Sequence, residues 1–159
     1  MKFFKLNYLL IPLITFLTAF LGGLITGGGM AWYKSIKLPA FTPGGGVIGA
    51  VWTGLFILSA ISAILVWNSS LRSEQAVRWK WIIAIFIANA LLNIFWSWLF
   101  FGQHQIGWAI WEAGLLDLSV WLLIILIWPV SGLAAALLLP YGVWAAFATF
   151  LTYSVWKLN

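Results

Sequence analysis

The sequence predicts an all-α integral membrane protein, a bundle of five transmembrane helices, and three observations lead to that prediction. First, the 159-residue chain is 64% hydrophobic and only 7% charged, whereas soluble domains are about a quarter charged. Second, five apolar runs each reach the roughly 20 residues that a helix needs to cross a bilayer. Third, these runs lack the alternation of apolar and polar residues that marks a transmembrane β-strand.

The five apolar runs account for almost the whole chain and therefore predict a single membrane domain over residues 1–159. The predicted helices cover residues 6–25, 47–67, 81–101, 106–128 and 133–156. The first run follows Lys2 and Lys5, as in a signal peptide. However, it is longer than the apolar core of about 7–15 residues in a signal, and no clear cleavage site follows. We therefore predict that it is retained as the first helix.

The connections between the predicted helices differ in length. Residues 26–46 form a long predicted loop, whereas residues 102–105 and 128–132 form short turns, the latter broken by Pro129. Helices joined by short turns lie antiparallel and adjacent. Five crossings place the long loop and the C-terminal end on the same face of the membrane. The lysine and arginine bias between the two faces favours the N-terminus inside by a small margin.

The chain offers little to conventional catalysis, metal binding or nucleic-acid binding. It has no cysteine, which excludes thiolate chemistry. His104 is the single histidine and has no neighbouring ligand set, so no metal site is predicted. The net charge of +5 comes from scattered basic residues, which suit lipid headgroups and give no support to nucleic-acid binding. The glycine triplets at 27–29 and 44–46 lack the lysine and hydroxyl of a nucleotide loop, and we interpret them as hinges bracketing the long loop.

Two amides and two acids fall inside the predicted helices. Asn89 and Asn93 are four residues apart and share one face of the third helix. They act either as hydrogen-bonding groups between helices or, for one of them, as a donor in a pocket. Glu112 and Asp117 lie about 140° apart around the fourth helix, so they do not form a carboxylate dyad. For these acids we favour structural pairing over a proton or cation pathway.

Thirteen tryptophans are many for this length, and nine of them fall into two groups. Those near the ends of runs predict an interfacial aromatic belt; they are Trp67, Trp79, Trp81, Trp108, Trp128 and Trp156. Trp52, Trp96 and Trp144 lie inside runs, and they either line an internal cavity or pack helices together. Pro140 predicts a bend in the fifth helix that can open concave space beside Trp144.

Four segments, in order along nearly the whole chain, resemble the patterns of one membrane-protein family. WYKSIKLPAFTP is similar to its first-loop pattern WYxxLxxPxWxP, and VWTGLF to the start of its second helix. NALLNIFWSWLFFG is similar to its third-helix pattern LNxxWxxLFF, and LLLPYGVWAAFATFLTYSVWKLN to its ending PYxxWxxFAT…LN. The family is TspO/MBR, the tryptophan-rich sensory proteins, translocator proteins and peripheral-type benzodiazepine receptors. The chain departs from the pattern at Phe41, where tryptophan is usual, and at Gly44, where proline is common.

The resemblance implies a compact bundle, commonly a homodimer, with a ligand pocket between the helices. Family ligands are tetrapyrroles such as protoporphyrin IX and haem, synthetic benzodiazepine-site compounds and, in animal members, the sterol cholesterol. The pocket residues that the resemblance carries over are Tyr33, Trp52, Phe56, Asn93, Trp96, Trp144 and Ala148. Trp52 and Trp144 match the tryptophans implicated in light-dependent porphyrin breakdown in some bacterial members. They are the catalytic candidates if that reaction occurs here.

The resemblance also implies that the first loop closes the pocket, and we interpret this loop as a lid. Pro39 and Pro43 would stiffen it, Trp32 and Phe41 would anchor it to the bundle, and Tyr33 would face the pocket. The lid would then cover the space that the interior tryptophans and Asn93 surround.

We therefore expect a multi-pass receptor, sensor or transporter that binds tetrapyrroles, needs no obligatory cofactor and lies in a bacterial cell membrane rather than an organelle membrane. One alternative is light-dependent porphyrin degradation, which would be photochemical because the sequence offers no acid–base machinery. A second alternative is a sterol, lipid or ion-coupled carrier. For sterol, Leu151, Tyr153 and Lys157 fit the loose cholesterol-contact pattern.

Overall fold

The computed structural model describes residues 6–69 and 76–159; Lys2 and Lys5 lie outside this range. Within it, five helices are long and apolar enough to cross a membrane, and no strand occurs. The predicted all-α, five-span fold is confirmed. The helices are α1 (Asn7–Tyr33), α2 (Gly45–Trp67), α3 (Ala76–Ser97), α4 (Ile106–Ile127), α5 (Gly132–Ala136) and α6 (Leu139–Leu158), with a π turn at Trp98–Gly102 after α3.

The helix α4 is the most deeply buried span of the bundle. Within its apolar stretch 44% of the residues are buried, against 6% for α1. It packs along both α3 and α6. At the contact with α6, the indole of Trp121 lies so close to Gly142 that a Cβ added there would be 2.9 Å from the ring. The packed side of the molecule is therefore built around α4, and α1 faces mostly outwards.

The first connection is shorter than predicted. The helix α1 continues to Tyr33 and α2 begins at Gly45, so the loop covers residues 34–44 and not 26–46. The interpretation of the glycine triplets as hinges is wrong, because the first lies inside α1 and the second caps and opens α2. Glycine marks a turn in water, but in a bilayer the backbone satisfies its own hydrogen bonds by remaining helical.

One glycine of the first triplet has a packing role. A Cβ added to Gly29 would lie 2.7 Å from the Cβ of Phe101 and would also clash with the Phe101 carbonyl group. Small residues at such points let two membrane helices approach closely. Gly29 therefore attaches the end of α1 to the end of the third span.

The third span ends in the π turn, a feature that often marks functional sites. It places three consecutive apolar side chains, Leu99, Phe100 and Phe101, in buried positions. The chain then turns at His104, which has a left-handed backbone with φ of 56°. The third span therefore ends as a cluster of aromatic rings directed into the bundle.

The fifth span is broken, as Pro140 predicts. The helix α5 ends at Ala136, and α6 begins at Leu139 with Pro140 in its first turn. The N–H groups of a first turn have no partner within the helix, so the N–H that proline lacks costs no hydrogen bond. The break itself therefore lies before the proline, at residues 137–138. It directs the start of α6 towards α4, and Tyr141 is almost completely buried there.

Candidate functional site

A cavity of about 400 Å³ lies between the helices. That volume falls within the range of roughly 300–1,000 Å³ that is common for small-molecule sites. Its walls come mainly from α1, α2, α3 and α6, and most of the lining side chains are apolar. It is a concave, aromatic site with few polar groups, which suits a largely apolar ligand.

The structure brings all seven pocket residues of the resemblance into this one cavity. They are Tyr33 from α1, Trp52 and Phe56 from α2, Asn93 and Trp96 from α3, and Trp144 and Ala148 from α6. These residues are far apart in the sequence, so only the packing of four helices places them together. Their contact with a ligand remains a prediction.

Ring systems form two walls of the cavity. Trp96 stacks on Phe100 with ring centroids 5.1 Å apart and planes within 13°. Trp52 packs against Phe56 at 5.8 Å and meets the ring of Tyr141 edge-on at 5.9 Å. Such arrangements hold the rings in place and leave flat faces for a planar ligand.

Trp144 adds a polar group to the apolar wall. Its indole Nε1 is buried and has no hydrogen-bond partner among the residues that the structure describes. A buried N–H without a partner is uncommon in proteins and needs an explanation. The Trp144 side chain lines the cavity, but its Nε1 is enclosed by protein atoms.

Below Asn93 lies a buried network that joins three helices. The Asn93 Nδ2 donates to the Asn89 carbonyl oxygen at 2.9 Å and to the Tyr141 hydroxyl at 2.6 Å. The Tyr141 hydroxyl donates to Asn89 Oδ1 at 2.9 Å, and Asn89 Nδ2 donates to Ser119 Oγ at 2.8 Å. Asn89 therefore links helices, whereas Asn93 belongs both to this network and to the cavity wall.

Two members of the network, Tyr141 and Ser119, were not singled out from the sequence. Tyr141 follows Pro140 in an apolar run, and a phenol hydroxyl in hydrocarbon requires a partner. That signal was available, but it does not identify the partner. Ser119 carried no signal, because a serine inside a membrane helix can bond its own backbone.

The two intramembrane acids do not line the cavity. Both oxygens of Glu112 are buried and accept no hydrogen bond from any described residue, so the predicted structural pairing is not found. The Oδ1 of Asp117 is also buried and accepts no hydrogen bond from any described residue.

The loop at residues 34–44 is tied down at three points. Trp32, just before it, stacks on His104 at 4.2 Å. The Lys37 N–H donates to Asn159 Oδ1, and Asn159 Nδ2 donates back to the Lys37 carbonyl oxygen, both at 3.0 Å. Phe41 stacks on Phe150 at 5.6 Å. The Lys37–Asn159 contact confirms that this loop and the C-terminal end share one face.

The predicted lid prolines stiffen the loop without entering the cavity. Pro39 is buried, and its carbonyl accepts hydrogen bonds from the Thr42 N–H and hydroxyl. Pro43 is half-buried directly before α2. No residue of 34–44 lines the cavity, whereas Tyr33 and Gly45 at its two ends do. Closure of the site by this loop stays a prediction.

The three residues of the cholesterol-contact pattern do not share one surface. Leu151 lines the cavity, whereas Tyr153 is exposed on the outside of α6. Lys157 is also exposed, and its Nζ lies 5.7 Å from the centre of the Tyr153 ring. The pattern therefore divides between the cavity and the lipid-facing side.

The fold and the cavity define a class: an integral membrane protein with a ligand-sized aromatic site between its helices, which fits a membrane sensor or receptor. The family model described as TspO/MBR family matches residues 10–157. The chain belongs to the TspO/MBR family.

Several named relatives are similar to this chain. Protein CrtK of Rhodobacter capsulatus is 36% identical over 129 residues, which is 81% of this chain and 79% of that protein. The translocator protein of Homo sapiens is 32% identical over 137 residues, 85% of this chain and 79% of its own. The tryptophan-rich protein TspO of Bacillus cereus is 27% identical over 157 residues, 99% of both chains.

Proposed function

We propose that this protein is a membrane receptor, sensor or transporter that binds a tetrapyrrole such as protoporphyrin IX or haem in the cavity between its helices. One observation carries the proposal: seven residues from four helices converge on a single cavity with aromatic walls and few polar groups. A tetrapyrrole is flat, largely apolar and aromatic, so its faces match ring walls and its few polar atoms need few partners.

The arrangement supports a specific division of roles. The indole rings of Trp52 and Trp96 would contact the macrocycle, because each is held by another aromatic ring. The ring of Trp144 would contact the macrocycle as well, and its enclosed Nε1 would donate a hydrogen bond to the ligand only after the ring rotates. In this proposal the tetrapyrrole is a ligand and no resident cofactor is needed.

The same cavity would accept synthetic benzodiazepine-site compounds. Of the three residues in the cholesterol-contact pattern, Leu151 alone would contact a sterol bound in this cavity. We also propose a bacterial cell membrane as the location and a homodimer as the assembly. The reason for this location is that two of the similar relatives come from bacteria, Rhodobacter capsulatus and Bacillus cereus. Crosslinking in native membranes tests the dimer.

The test is a titration of purified protein with protoporphyrin IX, followed by porphyrin absorbance in dim light under nitrogen so that photodegradation does not interfere. Replacing Trp52→Phe together with Trp144→Phe should weaken binding about tenfold, because both aromatic walls lose contact area with the ligand. The matched control is Trp108→Phe with Trp111→Phe, since these two side chains are 68% and 75% exposed on α4. Equal affinity of the two double variants would remove the support for this site.

A further inference from the structure

The hydrogens of the Asn93 amide are directed away from the cavity. Its Nδ2 donates to the Asn89 carbonyl oxygen and to the Tyr141 hydroxyl, at 2.9 and 2.6 Å. A side-chain amide carries two donor hydrogens. Both are therefore used inside the network, and a ligand would find no free donor on Asn93.

The direction of each hydrogen bond in this network is fixed by backbone carbonyls, which can only accept. The Asn89 carbonyl fixes which end of the Asn93 amide carries nitrogen. At the other end, the Ser119 hydroxyl donates to the Leu116 carbonyl at 2.6 Å, so its oxygen can only accept from Asn89 Nδ2. Asn89 Oδ1 is then left to accept from Tyr141. Turning either side-chain amide by 180° would exchange its nitrogen and oxygen, and at least one hydrogen bond would be lost.

The remaining polar atom is the oxygen of Asn93. Its Oδ1 accepts no hydrogen bond from any residue that the structure describes, and it is not among the fully enclosed atoms that lack a partner. Asn93 itself lines the cavity. Because the nitrogen points into the network, the oxygen is on the cavity side.

We propose that the Asn89–Tyr141–Ser119 network locks Asn93 as a hydrogen-bond acceptor, so that the cavity selects apolar ring ligands that present an N–H or O–H donor at this point. The inference rests on the proposed function, because it concerns the same cavity. It reverses the simpler interpretation from sequence, in which an asparagine amide donates to the ligand. Asn93 is then the specificity-determining residue, and Asn89, Tyr141 and Ser119 are positioning residues.

A hydrogen-bond donor, Trp144 Nε1, also belongs to a side chain of the cavity wall. Trp144 Nε1 is a buried donor without a partner among the described residues. Asn93 Oδ1 is open to the cavity, whereas Trp144 Nε1 is enclosed and would reach a ligand only after the indole ring rotates. A ligand that matches both would carry a donor and an acceptor on a flat apolar body.

The test compares carbazole with N-methylcarbazole on the purified protein in detergent, with partition into protein-free micelles measured for each. The two probes have the same flat ring system, and they differ in one N–H donor. The methyl compound is more apolar and should bind more tightly if only burial matters. We expect the opposite: carbazole binds about tenfold more tightly, because the methyl group leaves a buried oxygen without a donor.

Variants test whether the network causes the preference for carbazole over N-methylcarbazole. Asn93→Leu should abolish the ratio between the two probes. Tyr141→Phe should reduce it, because the hydroxyl that anchors the Asn93 nitrogen is gone. The control is Ser62→Ala, which removes a buried hydroxyl bonded to the Ala134 carbonyl away from the cavity and should leave the ratio unchanged. A purely structural role of Tyr141 would lower both affinities equally and leave the ratio intact.

The outcomes separate this inference from the proposed function. If protoporphyrin IX displaces both probes but they bind equally, or N-methylcarbazole binds more tightly, the acceptor inference is overturned and the binding site stands. If carbazole binds with the expected preference but protoporphyrin IX does not displace it, the acceptor stands and the tetrapyrrole proposal fails. Absence of saturable carbazole binding also overturns the inference. If Asn93→Leu does not fold, the wild-type ratio and Tyr141→Phe still decide.

Discussion

The two sides of the bundle are built differently. In the α4 span and the α5–α6 span, 44% and 33% of the residues are buried, and Tyr141 and Ser119 of the polar network lie there. In the α1 and α2 spans only 6% and 17% are buried. An added Cβ at Gly23 or Gly49 on those two helices would meet nothing within 4 Å. The cavity lies between the packed side and the open side.

The difference assigns separate tasks to the two walls. Lipid is as apolar as the side chains, so membrane helices associate through close packing and hydrogen bonds. The packed side has both, and it holds the polar atoms of the cavity in fixed positions. The open side has few such contacts apart from Gly29, so α1 and α2 can adjust their distance to a ligand. The packed side therefore fixes the polar atoms of the cavity, and the open side sets the width of the cavity.

The largest loss of stability is expected at the tight contact between α1 and the end of the third span. Gly29→Ala should lower the free energy of unfolding by about 3 kcal/mol, since the new methyl group meets backbone atoms of Phe101. The matched control is Gly28→Ala, one residue earlier, where an added Cβ would meet nothing within 4 Å. Unfolding by denaturing detergent measures both. Similar losses for the two variants would contradict the close contact.

A smaller loss is expected from one hydroxyl on the packed side. Tyr141→Phe should lower the free energy of unfolding by about 2 kcal/mol, because Asn89 Oδ1 loses its donor in a buried place. The control is Tyr8→Phe at an exposed position of α1, where the hydroxyl accepts from Asn68. That change should cost less than about 0.5 kcal/mol. Equal costs would mean that the two sides do not differ in polar packing.

The lid can be tested by its hydrogen bonds to the end of α6. Asn159→Ala removes two bonds to the Lys37 backbone, and we expect bound protoporphyrin IX to dissociate about threefold faster because the bonds are exposed. Stopped-flow dissociation measures this rate. Ser154→Ala, which removes only a bond within the helix to Phe150, serves as the control. An unchanged off-rate in Asn159→Ala would show that the hydrogen bonds between Asn159 and Lys37 do not control ligand exit.

The smallest effect on stability should come from the open side. Gly49→Ala adds a methyl group to the cavity wall, and Gly54→Ala adds one to the same helix outside it. Neither meets a neighbour within 4 Å, so both should be stabilised slightly by helix propensity. Only Gly49→Ala should change protoporphyrin IX affinity, by about twofold, because it alone narrows the cavity. Titration of both variants checks the difference.

The sequence predicted the five spans well, because the length and apolarity of a membrane helix depend on the bilayer alone. It also singled out Trp52, Trp96 and Trp144 as interior side chains, and all three line the cavity. It misplaced the end of α1, since glycines at 27–29 signal a turn under rules that hold in water. The hydrogen bonds of Asn93 could not be predicted from the sequence, for a different reason. Its partner Tyr141 is 48 residues away, and the direction of the bond depends on the rotation of two helices.

The most direct test of two walls around one tetrapyrrole site is an experimental structure with protoporphyrin IX bound. We predict that the macrocycle lies in the cavity against Trp52 and Trp144, with α1 and α2 displaced and the backbone of α4 and α6 in place. A macrocycle bound to the lipid-facing surface would contradict the account. So would a bound structure in which the Asn89–Tyr141 network is broken while α1 and α2 have not moved.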